Sequence, residues 1–364
     1  MQSIASRQNV ANARPLSRGV WPAQSGRVRR SLVRVRAELE EIDPITGQPI
    51  SKQAPTSSVA GNTVKAAGLT WAYREAQPDP EKASADKPQV LLLHGLGSSS
   101  YCYRNTMGLI GGEGYRCIAP DWPGHGDSDK PAGFGYSEEA YISGLGAFID
   151  AMGMKKPFAM VVHGYILSQY ALLYALENPG QIDRLLILNT PLALNAKLRP
   201  ELAAYKAPLP FMRPGNKPFD FMVFNMTGSP YAMKEKDAMV YARPTSDPAA
   251  TAAVAKTMDQ VDFPKLLRKV DDGFRTFRRP SVCMFGSSDP FVDAASVFEF
   301  LESKRTNMKA LTVAAKLGHM PQEDFPESMH ESVMKWLSGE TDADGPIKQK
   351  ALRMTKYGVV ESKN

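Results

Sequence analysis

The chain contains no apolar run approaching the roughly 20 residues that a helix needs to cross a bilayer, which excludes an integral membrane segment of that kind. Cysteine is scarce. Cys102, Cys117 and Cys283 are three widely spaced thiols, an odd number that suits neither a disulfide framework nor a zinc site. They read as buried thiols of a reducing compartment. Also missing are the P-loop, the dinucleotide-binding glycine pattern and any metal-ligand spacing, so no cofactor and no metal are expected. Finally, Asp and Glu are absent from the first 37 residues, the first acid being Glu38.

That acid-free stretch holds eight arginines, from Arg7 to Arg36, among Ser, Ala, Asn and Gln, the composition of a plastid or mitochondrial transit peptide. Val35-Arg36-Ala37 is similar to plastid processing sites. Residues 1–37 are therefore expected to direct the chain to the chloroplast stroma, with a mitochondrial leader or a plain disordered basic tail as the alternatives. Without them, 36 basic residues face 38 acidic ones, a net of −2. The overall charge of +6 belongs to the leader, and no nucleic-acid partner is expected.

Residues 38–65 are rich in Pro, Ser, Thr and Gly and read as linker, and residues 339–364 read as a polar C-terminal tail. Between them, over 66–338, apolar strand-like runs alternate with helical periods. Strands are expected at 69–76, 89–95, 115–121, 158–164, 182–189, 280–286 and 309–315, and helices at 137–152, 167–178, 294–304 and 327–337. Such alternation requires an α/β fold, a mostly parallel central sheet with helices on both faces. The rhythm breaks over about 192–277, where Pro, Met and Phe crowd into an inserted cap. There Phe211, Met212, Phe219, Phe221, Met222, Phe224 and Met226 either close a small core or line a pocket for an apolar small molecule.

Three loops at strand ends carry the chemistry. After Val90–Leu93 comes His94-Gly95-Leu96-Gly97, where glycine lets backbone N–H groups turn toward a ligand. The next strand ends in Asp121-Trp122-Pro123-Gly124-His125-Gly126-Asp127-Ser128, and near the C-terminus stands Gly318-His319-Met320-Pro321. In this order the motifs resemble the α/β-hydrolase superfamily, most closely its haloalkane dehalogenase and epoxide hydrolase branch, over residues 68–338. The resemblance implies an α/β-hydrolase fold with an inserted cap. It also implies catalytic roles for His319 and for Asp289 of Gly286-Ser287-Ser288-Asp289-Pro290, the carboxylate orienting the imidazole and stabilising its cation. The plain readings are a turn-starting Asp-Pro and a satisfied loop histidine. By the same resemblance Gly95, Leu96 and Ile166 are oxyanion or pocket residues, with the N–H groups of Leu96 and Ile166 steadying negative charge.

What the chain lacks is the family's nucleophile. Where that family has G-x-Nu-x-G with Ser, Asp or Cys on a sharp turn, this sequence has His163-Gly164-Tyr165-Ile166-Leu167-Ser168. Counting back from Asn178-Pro179 puts Tyr165 at the nucleophile position. His163 and Leu167 then fill the two small-residue positions, from which a relaxed turn is expected; a slip of one residue would place Gly164 or Ile166 there instead. Tyr165 reads as an aromatic plug or a polar pocket residue, and Ser168 as a hydroxyl a turn away from His319. His163 reads as a hydrogen-bonded strand-end residue or a second imidazole. Dehalogenation is not expected, because Leu96 and Ile166 stand where that branch has halide-donating Asn and Trp. Epoxide opening lacks its carboxylate, although the cap tyrosines Tyr205, Tyr231 and Tyr241 could have supplied its acid. Two classes of function remain: an enzyme acting on an apolar small molecule through a His319–Asp289 general-base dyad without a covalent step, and a non-catalytic ligand-binding or scaffold protein. An esterase acting through Ser168 is a third reading.

Overall fold

The computed structural model describes residues 57–342, apart from 155, 216, 287, 305–307 and 314–316, together with 352–355 and 358–361. The expected leader, and the linker up to residue 56, lie outside the described residues.

Eight strands form one sheet: β1 (Val59–Ala66), β2 (Leu69–Ala76), β3 (Val90–Leu93), β4 (Cys117–Pro120), β5 (Phe158–His163), β6 (Ile182–Leu188), β7 (Ser281–Gly286) and β8 (Met308–Val313), in the order β1-β2-β4-β3-β5-β6-β7-β8. β1 pairs antiparallel with β2, and β2 with β4. The pairings from β4 through β3, β5, β6 and β7 to β8 are parallel. The runs VLLL, CIAP, FAMVVH and SVCMFG are buried at every position. A parallel strand covered by helices on both faces has no polar side to show, so it appears in sequence as an unbroken apolar run.

β1 corrects the linker reading. Val59–Ala66 is paired along its whole length with β2 although four successive residues, Ala60–Thr63, are exposed. An edge strand of this kind needs few apolar residues, and its polar sequence hid it. The tail reading is corrected likewise: β9 (Leu352–Thr355) and β10 (Gly358–Glu361) form an antiparallel pair.

Helices α1 (Arg104–Gly112), α2 (Glu138–Ala151) and α3 (Leu167–Glu177) precede the cap, which is inserted between β6 and β7. The cap carries α4 (Pro200–Ala203), α5 (Phe221–Met226), α6 (Glu235–Ala242), α7 (Pro248–Gln260) and α8 (Phe263–Phe274), and the chain continues with α9 (Ala294–Lys304), α10 (Pro321–Asp324) and α11 (Pro326–Ser338). α7 and α8 begin on aspartates. Asp247 accepts from the Ala249 N–H at 2.9 Å and Asp262 from the Lys265 N–H at 3.0 Å, each ahead of an early proline. α8 buries Phe263, Leu266, Leu267, Val270 and Phe274 along one stripe, a helical period present in the sequence inside a segment read as irregular. Among the described residues no helix is long and apolar enough to cross a membrane.

The cap is pinned to the body by a charged cluster. Arg104 donates to both carboxylate oxygens of Glu323, at 2.7 and 2.6 Å, and Tyr241 of α6 donates to the same carboxylate at 2.8 Å. Tyr241, considered above as a pocket acid, is thereby committed to structure. Phe219, Phe221 and Phe224 are buried, whereas Phe211 is 83% exposed and Met212 57%. Those two do not close a core, because they stand on an exposed, proline-flanked turn.

Candidate functional site

Asp289 follows β7 and His319 follows β8, so the parallel pairing of these strands carries both residues to the same edge of the sheet. His319 Nδ1 lies 2.8 Å from Asp289 Oδ2, and both side chains are buried. The Asp289 carboxylate also accepts from Asn189 Nδ2 at 2.7 Å and from the Phe291 N–H at 2.8 Å. Burial pushes the Asp289 carboxyl up, but the His319 imidazole and these hydrogen bonds outweigh it and hold the group below its ordinary value. An ionised Asp289 fixes the proton of His319 on Nδ1 and leaves Nε2 with its lone pair. The loop around His319 is held at both ends of the residue, since its N–H donates to Gly228 O at 2.9 Å and its carbonyl accepts from His163 Nε2 at 2.8 Å.

The turn from β5 into α3 is strained, which corrects the expectation of a relaxed one. Ile166 has φ 64° and ψ −68°, and the Leu167 N–H donates back to Tyr165 O at 2.8 Å. This is a γ-turn of the rare, strained hand, unusual for a β-branched residue. Close approach of the turn to the loop after β3 is preserved by Gly95 and Gly164, the latter at φ 88°. A Cβ on Gly95 would sit 2.7 Å from Tyr165 N and 2.9 Å from His163 O. His163 and Leu167 therefore do not loosen the elbow. The strained position is Ile166, one residue beyond Tyr165, while the side chain that meets His319 is Tyr165, with ring centres 5.7 Å apart. Tyr165 donates to Phe291 O at 3.2 Å, and burial pushes its phenol well above the ordinary range. With His163, Arg199, Phe224 and His319 it lines a cavity of about 10 Å³, room for about one water molecule.

The expected oxyanion donors are occupied. The Leu96 N–H donates to Tyr165 O at 2.9 Å and the Ile166 N–H to Gln169 Oε1 at 2.5 Å. Gln169 stands at the third position of α3, where a Gln side chain reaches back to the start of its helix, so the residue type at that position was a readable signal. Ser168 is fully buried and donates to Gly164 O, so its hydroxyl proton is committed to the backbone. The loop at Asp121 is a brace: its carboxylate accepts from the Ser100 N–H at 2.7 Å and the Asp127 N–H at 2.9 Å, and the Trp122 indole donates to His94 O at 2.9 Å.

His163 donates through Nε2, and its buried Nδ1 has no partner among the described residues. Burial, reinforced by His319, lowers its pKa to about 3, and burial also lowers those of His94 and His125. A histidine held below its unfolded value contributes stability above about pH 6.5 that is lost as the pH falls toward the folded value. Asp324 runs the other way, since burial raises it to about 6 and its contribution is lost as the pH rises from about 4 through 6. With half-buried His330, also lowered by burial, four histidines against one carboxylate give an expected decline of the urea midpoint from pH 7.5 to pH 5. A flat or rising midpoint would contradict buried neutral imidazoles.

Sequence reasoning missed Arg199. This cap residue is 2% exposed, and its guanidinium lies 3.8 Å from the ring centre of Phe224 and 4.2 Å from that of Phe291. Nothing marks it in the sequence except a base beside the proline that opens α4.

Residues 90–331 match the family described as Alpha/beta hydrolase family. An uncharacterized hydrolase of Saccharomyces cerevisiae is 33% identical over 122 residues, covering 34% of this chain and 39% of that protein. Epoxide hydrolase 3 of Siraitia grosvenorii is 36% identical over 105 residues, 28% of this chain and 32% of the relative. The chain thus matches about a third of the length of these relatives. A haloalkane dehalogenase structure from Bradyrhizobium elkani superposes with a TM-score of 0.63 at 22% identity, covering 78% of this chain and all of that one.

Proposed function

Because the chain belongs to the alpha/beta hydrolase family, we propose that it acts on an apolar small molecule through His319 and Asp289 as a general-base pair, without a covalent enzyme intermediate. The observation that carries this reading is the 2.8 Å contact between His319 Nδ1 and an Asp289 carboxylate that is otherwise fully engaged. Nε2 is then the basic atom. It takes a proton from water or from the substrate, and Asp289 stabilises the resulting cation. Both neighbouring hydroxyls are withheld, Ser168 on Gly164 O and Tyr165 on Phe291 O. The cavity has room for a water but not for a substrate, so substrate entry requires movement of the cap or of Tyr165. A panel of esters and ketones tests the reading: turnover is expected, falling by roughly 1,000-fold or more in His319→Gln, and turnover unchanged in that variant would end it.

The occupied oxyanion donors and the small cavity favour a second reading, a non-catalytic ligand-binding protein. It predicts no turnover on the panel and a ligand that copurifies with the chain. Either activity is proposed for the chloroplast stroma, supported by the acid-free, arginine-rich first 37 residues. A fluorescent fusion of residues 1–60 is expected inside plastids, and a cytosolic fusion would refute the location.

A further inference from the structure

General-base attack on a carbonyl compound makes its oxygen negative, and that charge needs a partner. The backbone N–H groups that would ordinarily serve are spent on Tyr165 O and Gln169 Oε1. Arg199 lines the same cavity as His319, with its side chain 1% exposed. Its Nη2 donates to Phe224 O at 2.7 Å, and its plane is clamped by Phe224 and Phe291. Phe291 in turn packs edge-on against the His319 ring, with centres 5.3 Å apart. Glu201 meets the guanidinium loosely: Nη2 donates to its Oε1 at 3.5 Å, while Nε lies 3.5 Å from Oε2 in a geometry that leaves both of those atoms without a hydrogen bond. Ser98, which lines the same cavity, has a buried Oγ whose neighbour is the Cys102 thiol and which makes no other hydrogen bond among the described residues. His163, whose buried Nδ1 has no partner among the described residues, and His319 line the same cavity.

We propose that Arg199, assisted by Ser98, replaces the occupied backbone pair and binds the oxygen of a carbonyl-containing apolar substrate as that oxygen becomes negative. A guanidinium in a dry cavity is suited to this, being always charged and presenting a rigid donor edge. If water is the attacking group, His319 Nε2 takes its proton, the new C–O bond forms, and the carbonyl π pair moves onto the oxygen held by Arg199; that pair then re-forms the carbonyl as the bond to the ester's alcohol oxygen breaks, and the departing oxygen takes the proton from Nε2. If the substrate itself is the acid, Nε2 takes the proton from the carbon beside the carbonyl, and the C–H pair becomes the new C=C bond while the π pair moves to the same oxygen. Return of the proton to carbon balances the second route with no further reactant. The loose Glu201 contact is the one an incoming oxygen displaces, and Glu201 is exposed enough to turn to solvent.

In its chemistry this inference rests on the general-base reading, but it is testable by binding alone, using heptanoate as a stable anionic oxygen and 2-heptanone as its neutral counterpart. Wild-type protein is expected to bind heptanoate about 10- to 100-fold more tightly than 2-heptanone, the range of a desolvated charge-assisted hydrogen bond. Arg199→Gln should abolish that preference, Arg199→Lys should keep part of it, and Glu201→Gln should strengthen heptanoate binding. A wild-type protein with no preference, or binding neither compound, overturns the proposal. So does a preference that survives Arg199→Gln; should that variant fail to fold, the wild-type and Glu201→Gln measurements decide. The two failures are distinct. If the general base is wrong, the heptanoate preference stands without His319-dependent turnover, and if Arg199 is wrong, such turnover stands without the preference.

Discussion

Replacing Asp289 with alanine is expected to cost about 3–5 kcal/mol of folding stability, the largest effect of any single substitution at the site. The carboxylate is fully buried and accepts from the His319 ring, the Asn189 amide and the Phe291 N–H. Alanine leaves all three donors in a space closed to water. Asp289→Asn should cost less stability, because its carbonyl still accepts, but it supplies an N–H where an acceptor is needed and disturbs the tautomer of His319. Turnover that depends on His319 should then fall by roughly 10,000-fold, as when the equivalent carboxylate of a serine protease triad is replaced by its amide. Urea denaturation of both variants checks the first part, and a loss below about 1 kcal/mol in Asp289→Ala would mean that the three donors find other partners.

Tyr165→Ser is expected to cost about 3 kcal/mol, in the range of emptying an aromatic site, and to remain close to background in ester hydrolysis. The ring is 2% exposed and packs against both Phe263 and His319. A serine there gains a hydroxyl beside the imidazole but no oxyanion hole, since the Leu96 N–H stays on the carbonyl of residue 165 and the Ile166 N–H on Gln169 Oε1. Missing donors of this kind cost roughly 100- to 1,000-fold each. Adding glycine at 163 and 167 should not help, because Gly95 and Gly164 already provide the close approach. Rapid p-nitrophenyl ester hydrolysis by Tyr165→Ser would show that those N–H groups leave their acceptors readily, and that their occupation does not prevent catalysis at the elbow.

The inner strands were legible in sequence because a buried parallel strand carries apolar residues on both faces, and their observed ends fall within two residues of those read from the runs. β1 was not, since an exposed edge strand shares its composition with a linker. The cap was legible as an interruption, but the stripe of α8 was lost among its prolines and methionines. At the site, the loop motifs placed Asp289, Tyr165 and His319, whose side chains the structure brings together. The occupied donors were harder to foresee, because whether a backbone N–H faces a ligand or a carbonyl depends on one peptide plane. The strain at Ile166, where a relaxed turn was expected, was hidden for a related reason. Counting from Asn178-Pro179 fixes the helix, yet the turn before it absorbs one residue without changing the helix.

The measurement that tests the account most directly is the intact mass of the wild-type chain after incubation with a fluorophosphonate, made beside a turnover assay on the ester and ketone panel. A buried Ser168 bonded to Gly164 O and an Ile166 at the strained position leave no activated hydroxyl. The expected result is an unmodified mass together with turnover that disappears in His319→Gln. A single phosphonyl adduct on Ser168, lost in Ser168→Ala along with the activity, would contradict the central claim and return the chain to covalent catalysis.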